Sequence, residues 1–302
     1  MKLQFIRNST FYYFNQDYFN SPDATFPVYL VGSIGWGLTP SHQLTQRGPF
    51  QQGDTYVGFR LDPRVFQIPI VVPASSSAQM MTRRAKLFNV FRMGDDEVQL
   101  RVQWTDGATT YERSIVGHVV GGLTMDTDST SYNIKASIQI KANDPTWFDT
   151  FGTYEQLSGT VAGTPTPYPK PYPVPYGATA IDQSTAITYD GTWDSYPIIQ
   201  ATGPITNLTM VDTLGHQIAV SGTIPAGDTW TFDLTYGNYT VTNSAGTNQF
   251  GALSINSDLV NWRIYGVSDL VLDGVNTVSI SGTGTTIDSL VTIFFYTRYI
   301  GV

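Results

Sequence analysis

The chain contains no cysteine and few charged residues, and both absences narrow the classes of protein to which it can belong. Without cysteine it has no disulfide framework, no thiolate zinc site and no cysteine nucleophile. Charged side chains make up 13% of its 302 residues, about half of the usual share. No run approaches the roughly 18 apolar residues of a membrane helix, and the N-terminal residues lack the apolar core of a signal peptide. We therefore expect a chain made in a cytoplasm, with no membrane partner.

The few charges are unevenly divided along the chain. Residues 1–150 carry 13 basic and 13 acidic side chains, whereas residues 151–302 carry 3 basic and 11 acidic ones. The second half thus accounts for the whole net charge of −8. Because a nucleic-acid-binding surface needs clustered lysine and arginine, this balance argues against specific binding of DNA or RNA. The contrast between the halves, in a chain about twice as long as a typical domain, predicts two domains.

A proline-rich stretch separates the two halves. Proline recurs at every second position from Pro165 to Pro175, so this stretch forms neither a helix nor a central strand. We favour an interdomain spacer over a motif recognised by an SH3-type domain. The sequence therefore predicts a first domain at residues 1–152, a linker at residues 153–180 and a second domain at residues 181–302.

Apolar and polar side chains alternate over much of the chain, which predicts a mainly β fold. The alternation is regular from Val98 to Trp104 and from Tyr132 to Lys141. One helix is predicted to begin after Ser75–Ser77, any of which can act as its N-cap, and to run to about Arg92 before Gly94 ends it. Beyond residue 180, short β-prone segments separated by turns predict an antiparallel β-sandwich. The expected architecture is a β-sandwich-like first domain with one helix, a proline-rich linker and a second β-sandwich.

Motifs for catalysis or for binding a metal or a cofactor are absent from the sequence. The three histidines, His42, His118 and His216, are far apart and lack metal-ligand spacing. Asp126 and Asp128 lie in a turn sequence, where aspartate commonly caps the backbone. We therefore expect no enzymatic activity, no metal and no cofactor.

Three tryptophans leave a second function open. Trp193, Trp230 and Trp262 lie in the acidic half of the chain, and exposed aromatic rings beside Asp and Asn can form a sugar-binding platform. Burial in the core of the sandwich is the interpretation that we favour for these rings. A carbohydrate-binding or sugar-cleaving protein is therefore the alternative function.

Six segments carry a family resemblance. In the first half they are the loop Val31–Gly37, the strand sequence Leu61–Ala74 and the segment Ala136–Asp149, where Asp-Pro precedes two aromatic residues and Asp. In the second half they are Asp190–Ile199, Leu272–Thr277 and the ending Arg298–Val302. In order and spacing these segments resemble the distal tail proteins of long, flexible-tailed bacteriophages.

The resemblance implies a structural virion protein. Such a chain forms a homohexameric ring at the distal end of the tail, between the tail tube protein above and the hub and tip proteins below. DNA passes through the ring without specific binding. Assembly would take place in the cytoplasm of the host bacterium. Low charge and abundant aromatic residues suit the extensive subunit contacts of a ring.

In the two segments with regular alternation, Val98–Trp104 and Tyr132–Lys141, the apolar face is expected to pack in the core of the domain. The opposite, polar face is then available for other contacts. On these faces lie Gln99, Arg101, Gln103, Lys135, Gln139 and Lys141. We predict that these side chains contribute to the contacts between ring subunits or line the lumen. In a contact, the three cations among them would pair with acidic groups across the interface. Plain solvent exposure in a monomeric sandwich is the competing interpretation.

Overall fold

A computed structural model describes residues 2–14, 28–32, 35–127, 132–158, 180–268 and 271–302, with the side chains of residues 13 and 122–127 excepted. The chain divides into two compact units. The first comprises Met1–Thr150 together with Tyr299–Val302, and the second comprises Phe151–Arg298. The proline repeat from Pro165 to Pro175 and the side chains of Asp126 and Asp128 lie outside the described part.

The described residues form mainly β-strands, as predicted. In the first unit the strands are β1 (Lys2–Arg7), β2 (Thr10–Phe14), β3 (Tyr29–Leu30), β4 (Ser41–Gln46), β5 (Thr55–Leu61), β6 (Arg64–Val72), β7 (Val98–Asp106), β8 (Thr109–Thr127), β9 (Ile134–Ala142) and β10 (Trp147–Asp149). In the second unit they are β11 (Thr153–Ser158), β12 (Ala180–Thr188), β13 (Ile198–Thr202), β14 (Ile205–Val211), β15 (Gln217–Ala219), β16 (Thr223–Ile224), β17 (Thr229–Asp233), β18 (Thr240–Thr242), β19 (Val275–Thr283) and β20 (Leu290–Phe295). A last short strand, β21 (Arg298–Tyr299), leads to the chain end.

One sheet of nine strands forms the body of the first unit. Its path is β2-β1-β7-β8-β9-β6-β3, and β10 and β21 complete it. Inward side chains of β1, β6, β7 and β9 belong to a single contiguous core with the helix. The predicted alternation is confirmed on β7 and β9, since every second residue of β9 from Ile134 to Ala142 is buried.

The predicted helix is α1 (Ser77–Val90). It begins where Ser76, in extended conformation, accepts a hydrogen bond at Oγ from the backbone N–H of Gln79 (3.2 Å). This contact satisfies one of the free N–H groups of the first turn. Leu87 and Val90 are buried against the sheet, and the helix ends at Phe91, three residues before Gly94.

The chain end returns to the first unit and is held there by Arg64, whose side chain is almost fully buried at 1% exposure. Its guanidinium donates Nε to the carbonyl of Pro145 (3.0 Å), Nη1 to the carbonyls of Gly35 and Gly37 (2.7 Å each) and Nη2 to the carbonyl of Ile300. Three segments of the first half and the chain ending, all quoted for the family resemblance, therefore meet at one side chain.

Two sheets form the second unit. One has the order β11-β20-β13-β17-β18, and the other has the order β12-β19-β14-β15 with β16 beside β14. The inward side chains of both sheets lie in one core, which includes Ile199, Phe232 and Ile293 from the first sheet and Met210 and Ile280 from the second. This two-sheet arrangement is the predicted antiparallel β-sandwich.

The unit boundaries differ from the predicted domains at two places. Strand β11 lies within the range predicted as a linker, yet it pairs with β20 over its full length, from Thr153 opposite Phe295 to Ser158 opposite Leu290. Tyr299–Val302 belong to the first unit, because Arg64 and Arg113 hold them there. The spacer role of the proline repeat stays a prediction.

Candidate assembly surfaces

The six side chains predicted at a subunit contact or lumen lie on one face of the nine-stranded sheet. Gln99, Arg101 and Gln103 alternate on β7 with buried neighbours, and Lys135, Gln139 and Lys141 do the same on β9. Strand β8 connects the two sets, because Val116 lies opposite Gln99 and His118 lies opposite Lys141. Residues directly opposite one another share a face of the sheet. The structure therefore brings all six residues to the outward face, with β8 between the two sets.

Arg101 is paired within its own chain. Its guanidinium lies 3.7 Å from the carboxylate of Glu112 on β8, and Gln103 donates to the same carboxylate (2.9 Å). The guanidinium also lies 5.7 Å from the ring centroid of Phe11. Arg101 thus has an acidic neighbour within its own chain, because the register of β7 and β8 places Glu112 diagonally across from it; an acidic partner in a neighbouring subunit stays a prediction.

The three residues on β9 stand in a different environment. Lys135 is exposed, whereas Gln139 and Lys141 are half-buried. Their neighbours on β6 are Val71, Gln67 and Val65 respectively, and Val65 is 48% exposed. This part of the face combines two lysines with apolar side chains, a composition suited to a contact whose rim is polar.

An open pocket of about 390 Å³ lies beside the turn between β1 and β2. Its lining includes two of the predicted residues, Gln99 and Arg101, together with the apolar side chains Ile6, Phe11 and Val116. The turn itself is tight, since Asn8 and Ser9 both have positive φ. The outward face of the sheet therefore has a concave, partly apolar region at its β1 end.

Sequence reasoning missed a second exposed element, the hairpin of β4 and β5. Among the strands of the described residues, these two pair only with each other, and nearly all of their residues are exposed. Exposed apolar side chains lie along the hairpin and at its tip, namely Leu44, Phe50, Tyr56, Val57 and Phe59. Phe50, in the tip, has a positive φ of 67° and a fully exposed ring. The apolar content of Thr55–Leu61 was the available signal, but the two strands lack the strict alternation that identified β7 and β9.

The tryptophans of the second unit are mostly core residues. Trp230 is 6% exposed and Trp262 is fully buried, and both belong to the core between the two sheets. Trp193 is half-buried. Burial, the interpretation favoured from the sequence, is therefore confirmed for Trp230 and Trp262, and these two rings form no sugar-binding platform.

The histidines do not come together. His216 Nδ1 lies 2.8 Å from the carboxylate of the buried Asp212, and the hydroxyl of Tyr265 donates to the same carboxylate (2.7 Å). Burial and the hydrogen bond to Asp212 raise the pKa of Tyr265 well above its ordinary value.

Among the described residues, no group of three or more His, Cys, Asp and Glu side chains could hold a metal ion. No helix in this part of the chain is long and apolar enough to span a membrane.

The fold of the chain is similar to that of a solved phage hub protein, which confirms, for the fold alone, the resemblance noted in the sequence. The chain is similar to the Dit protein of SPP1, described as a paradigm of the hub adsorption apparatus in phages that infect Gram-positive bacteria. The TM-score is 0.62 at 11% sequence identity, and the match covers 97% of this chain and 98% of that one. A chain of the phage P2 baseplate in its activated conformation with Ca matches with a TM-score of 0.43 at 12% identity, over 97% of this chain and 98% of that one. No family model matches the sequence, and no curated protein matches it.

Proposed function

We propose that this chain is a structural component of a phage tail that forms a homohexameric ring at the distal end of the tail tube. The ring would connect the tail tube protein above to the hub and tip proteins below. The observation that carries the proposal is the correspondence with the SPP1 Dit protein over both units and nearly the full length of each chain. In this role the chain has no catalytic activity.

The hairpin of β4 and β5 supports contacts between copies. A two-stranded hairpin alone is marginally stable in water, and this one exposes Leu44, Tyr56, Val57 and Phe59 to solvent. Exposed apolar groups of this kind commonly mark a protein interface. Burial of the hairpin against a neighbouring copy would remove its apolar surface from water and stabilise its two strands.

The outward face of the nine-stranded sheet offers a second surface for assembly. Because the hairpin and the outward face are different surfaces, a contact between them is heterologous, and a heterologous contact closes into a ring when its rotation permits. The pocket beside Asn8 and the apolar side chain of Val65 give this face places to receive apolar groups. Lys135 and Lys141 would lie in such a contact or at its edge toward the lumen.

The charge distribution suits a conduit for DNA. The first half of the chain has equal numbers of basic and acidic residues, and the second half has a net charge of −8. A wall rich in lysine and arginine would bind phosphates and slow the passage of DNA, because each phosphate contact releases counterions and adds affinity. The low cation content therefore supports passage without specific binding.

Native mass spectrometry of the purified chain tests the proposal. We expect a species of six times the 33.2 kDa chain mass, visible as a ring by negative-stain electron microscopy. Phe50→Asp should lower the share of this species, because it places a charge at the exposed tip of the hairpin. Ile255→Asp is the matched control, since Ile255 is an exposed apolar residue of the second unit (99% exposed). A chain that stays monomeric at every concentration contradicts the proposal.

A further inference from the structure

An unusual surface lies on the second unit, on the outward face of the sheet β11-β20-β13-β17-β18. Along these strands most inward residues are buried, and most outward residues are threonine, glutamine or serine, such as Gln156, Gln200, Thr231 and Thr292. At one end of the face the pattern changes to aromatic side chains. We call this end the aromatic row and define it as Tyr154, Tyr196, Tyr236, Phe294 and Tyr296.

Register and ring distances bring the aromatic row together. Tyr154 lies opposite Phe294 in the ladder of β11 and β20, with ring centroids 4.7 Å apart, and Phe294 lies 5.0 Å from Tyr296. Phe294 is in turn opposite Ile198 on β13. Tyr196 precedes Ile198 by two residues, and its ring lies 5.8 Å from that of Tyr236 at an interplanar angle of 58°.

Two of these rings present substantial surface to solvent. Tyr236 is 82% exposed and Tyr154 is 66% exposed. Tyr239, outside the row, is half-buried; burial raises the pKa of its phenol, and so do the nearby phenols of Tyr196 and Tyr236. Large exposed rings that are held together in this way provide flat apolar faces with polar hydroxyl tips.

Hydrogen bonds hold the surroundings of the row in place. Arg263 donates to the hydroxyl of Tyr196 (3.2 Å) and forms an ion pair with Asp194 (3.3 Å). The carboxylate of Asp233 accepts from the backbone N–H of Thr235 (2.9 Å) and from the side-chain amide of Asn238 (2.5 Å), which fixes the loop that carries Tyr236. The surface is thus ordered before any ligand binds, a condition that favours affinity.

We propose that the aromatic row, with its polar border, is a binding site for a neutral saccharide. A sugar ring has an apolar C–H face that stacks on a flat aromatic side chain, and a rim of hydroxyl groups that exchange hydrogen bonds with amide, carboxylate and hydroxyl side chains. Tyr236 and Tyr154 supply exposed faces for stacking. Asp233, Asn238 and Gln200 supply hydrogen-bonding groups beside them.

The charges around the aromatic row favour a neutral ligand over an anionic one. Arg263, the cation of this site, is already paired with Asp194. The half of the chain that contains the site carries 11 acidic and 3 basic residues, so its field repels polyanions. Nucleic acids and phosphate-rich polymers are therefore poor ligands here.

Binding of the full-length chain to a printed glycan array, containing neutral and acidic saccharides, tests the proposal. We expect signals from neutral hexose- or N-acetylhexosamine-containing glycans, and the strongest of these is then titrated in solution by calorimetry. Tyr236→Ala should weaken binding about tenfold, because it removes one stacking face, whereas Tyr236→Phe should retain binding within about threefold. Tyr111→Ala is the matched control, since Tyr111 is an exposed tyrosine of the first unit and should leave binding unchanged.

Each result has a defined meaning. Absence of any array signal, preference for acidic glycans, or binding that survives both Tyr236→Ala and Tyr154→Ala overturns the proposal. Because these tyrosines are exposed, their replacement should leave the fold intact, which circular dichroism verifies. Native mass of the same samples reports ring formation separately, so a failure of saccharide binding and a failure of ring assembly are distinguishable.

Discussion

Arg64 donates a hydrogen bond through Nη2 to the backbone carbonyl of Ile300, 236 residues further along the chain. The same guanidinium donates hydrogen bonds to the carbonyls of Gly35, Gly37 and Pro145. These residues lie in two separate segments that carry the family resemblance. Trp36 and Trp147, which border these loops, stack with centroids 5.6 Å apart. The chain end is thus a structural part of the first unit.

Replacement of Arg64 should destabilise the first unit strongly. Arg64→Ala leaves several buried carbonyls without a donor, and we expect it to lower the free energy of unfolding by about 3–5 kcal/mol. Arg64→Lys should recover part of this loss, because an ammonium cannot reach all of the acceptors of a guanidinium. Chemical denaturation followed by tryptophan fluorescence measures both. Arg92→Ala is the control, since Arg92 is 65% exposed and its loss should change stability by less than about 0.5 kcal/mol.

The first unit should need Tyr299–Val302 for full stability. We expect the fragment Met1–Gly152 to fold less stably than a fusion in which a short flexible linker joins residues 1–150 to residues 299–302. The fusion restores the acceptor for Arg64 and the Tyr299 ring, which lies 3.4 Å from the Arg113 guanidinium. Thermal melting compares the stabilities, and sedimentation velocity shows which fragment forms rings. Equal melting temperatures for the two fragments would show that the chain end is dispensable.

Charge reversal on the outward face should distinguish an effect on ring assembly from an effect on the stability of the monomer. Lys135→Glu and Lys141→Glu should change the oligomer mass at low salt more than at moderate salt, because screening weakens contacts between exposed charges. Arg101→Glu should in addition lower the stability of the monomer, because it would set two carboxylates side by side at Glu112. Native mass and denaturation are measured on the same samples, with Lys135→Ala as the control for loss of charge. An unchanged ring in all variants at both salt concentrations would place these residues outside the subunit contacts.

Asp228 should make the second unit sensitive to acid. Its carboxylate accepts from the Ser244 hydroxyl (2.6 Å) and from Trp230 Nε1 (3.1 Å), and the Ser244 hydrogen bond lowers the pKa of Asp228 against the opposing effect of burial. A lowered folded-state pKa stabilises the fold above the unfolded value of about 3.9, and this stabilisation disappears as the pH falls through the folded value. Asp228→Asn should therefore unfold more easily at about pH 7 and lose less stability on acidification than the unmodified chain. Parallel pH dependences of the unfolding free energy would contradict this.

The local features of the fold were predictable because they depend on neighbouring residues. Alternation from Val98 to Trp104 places one side of a strand in the core whatever the rest of the chain does. Ser76 caps a helix by bonding to the N–H of a residue three positions ahead. The outward position of Lys135 and Gln139 followed from the same period of two, and so did part of the candidate assembly surface.

The remaining features depend on contacts between distant segments. In the sequence, nothing distinguishes Arg64 from an ordinary charged residue at the start of a strand. In the folded chain, the carbonyls of Gly35, Pro145 and Ile300 surround its guanidinium. Arg101 finds Glu112 through the register of β7 and β8, which the pattern of each strand alone leaves open. The aromatic row combines residues from four separate stretches of the chain. Hydrophobic alternation fixes which face of a strand is buried, but only tertiary packing decides which strands become neighbours and therefore which outward side chains meet.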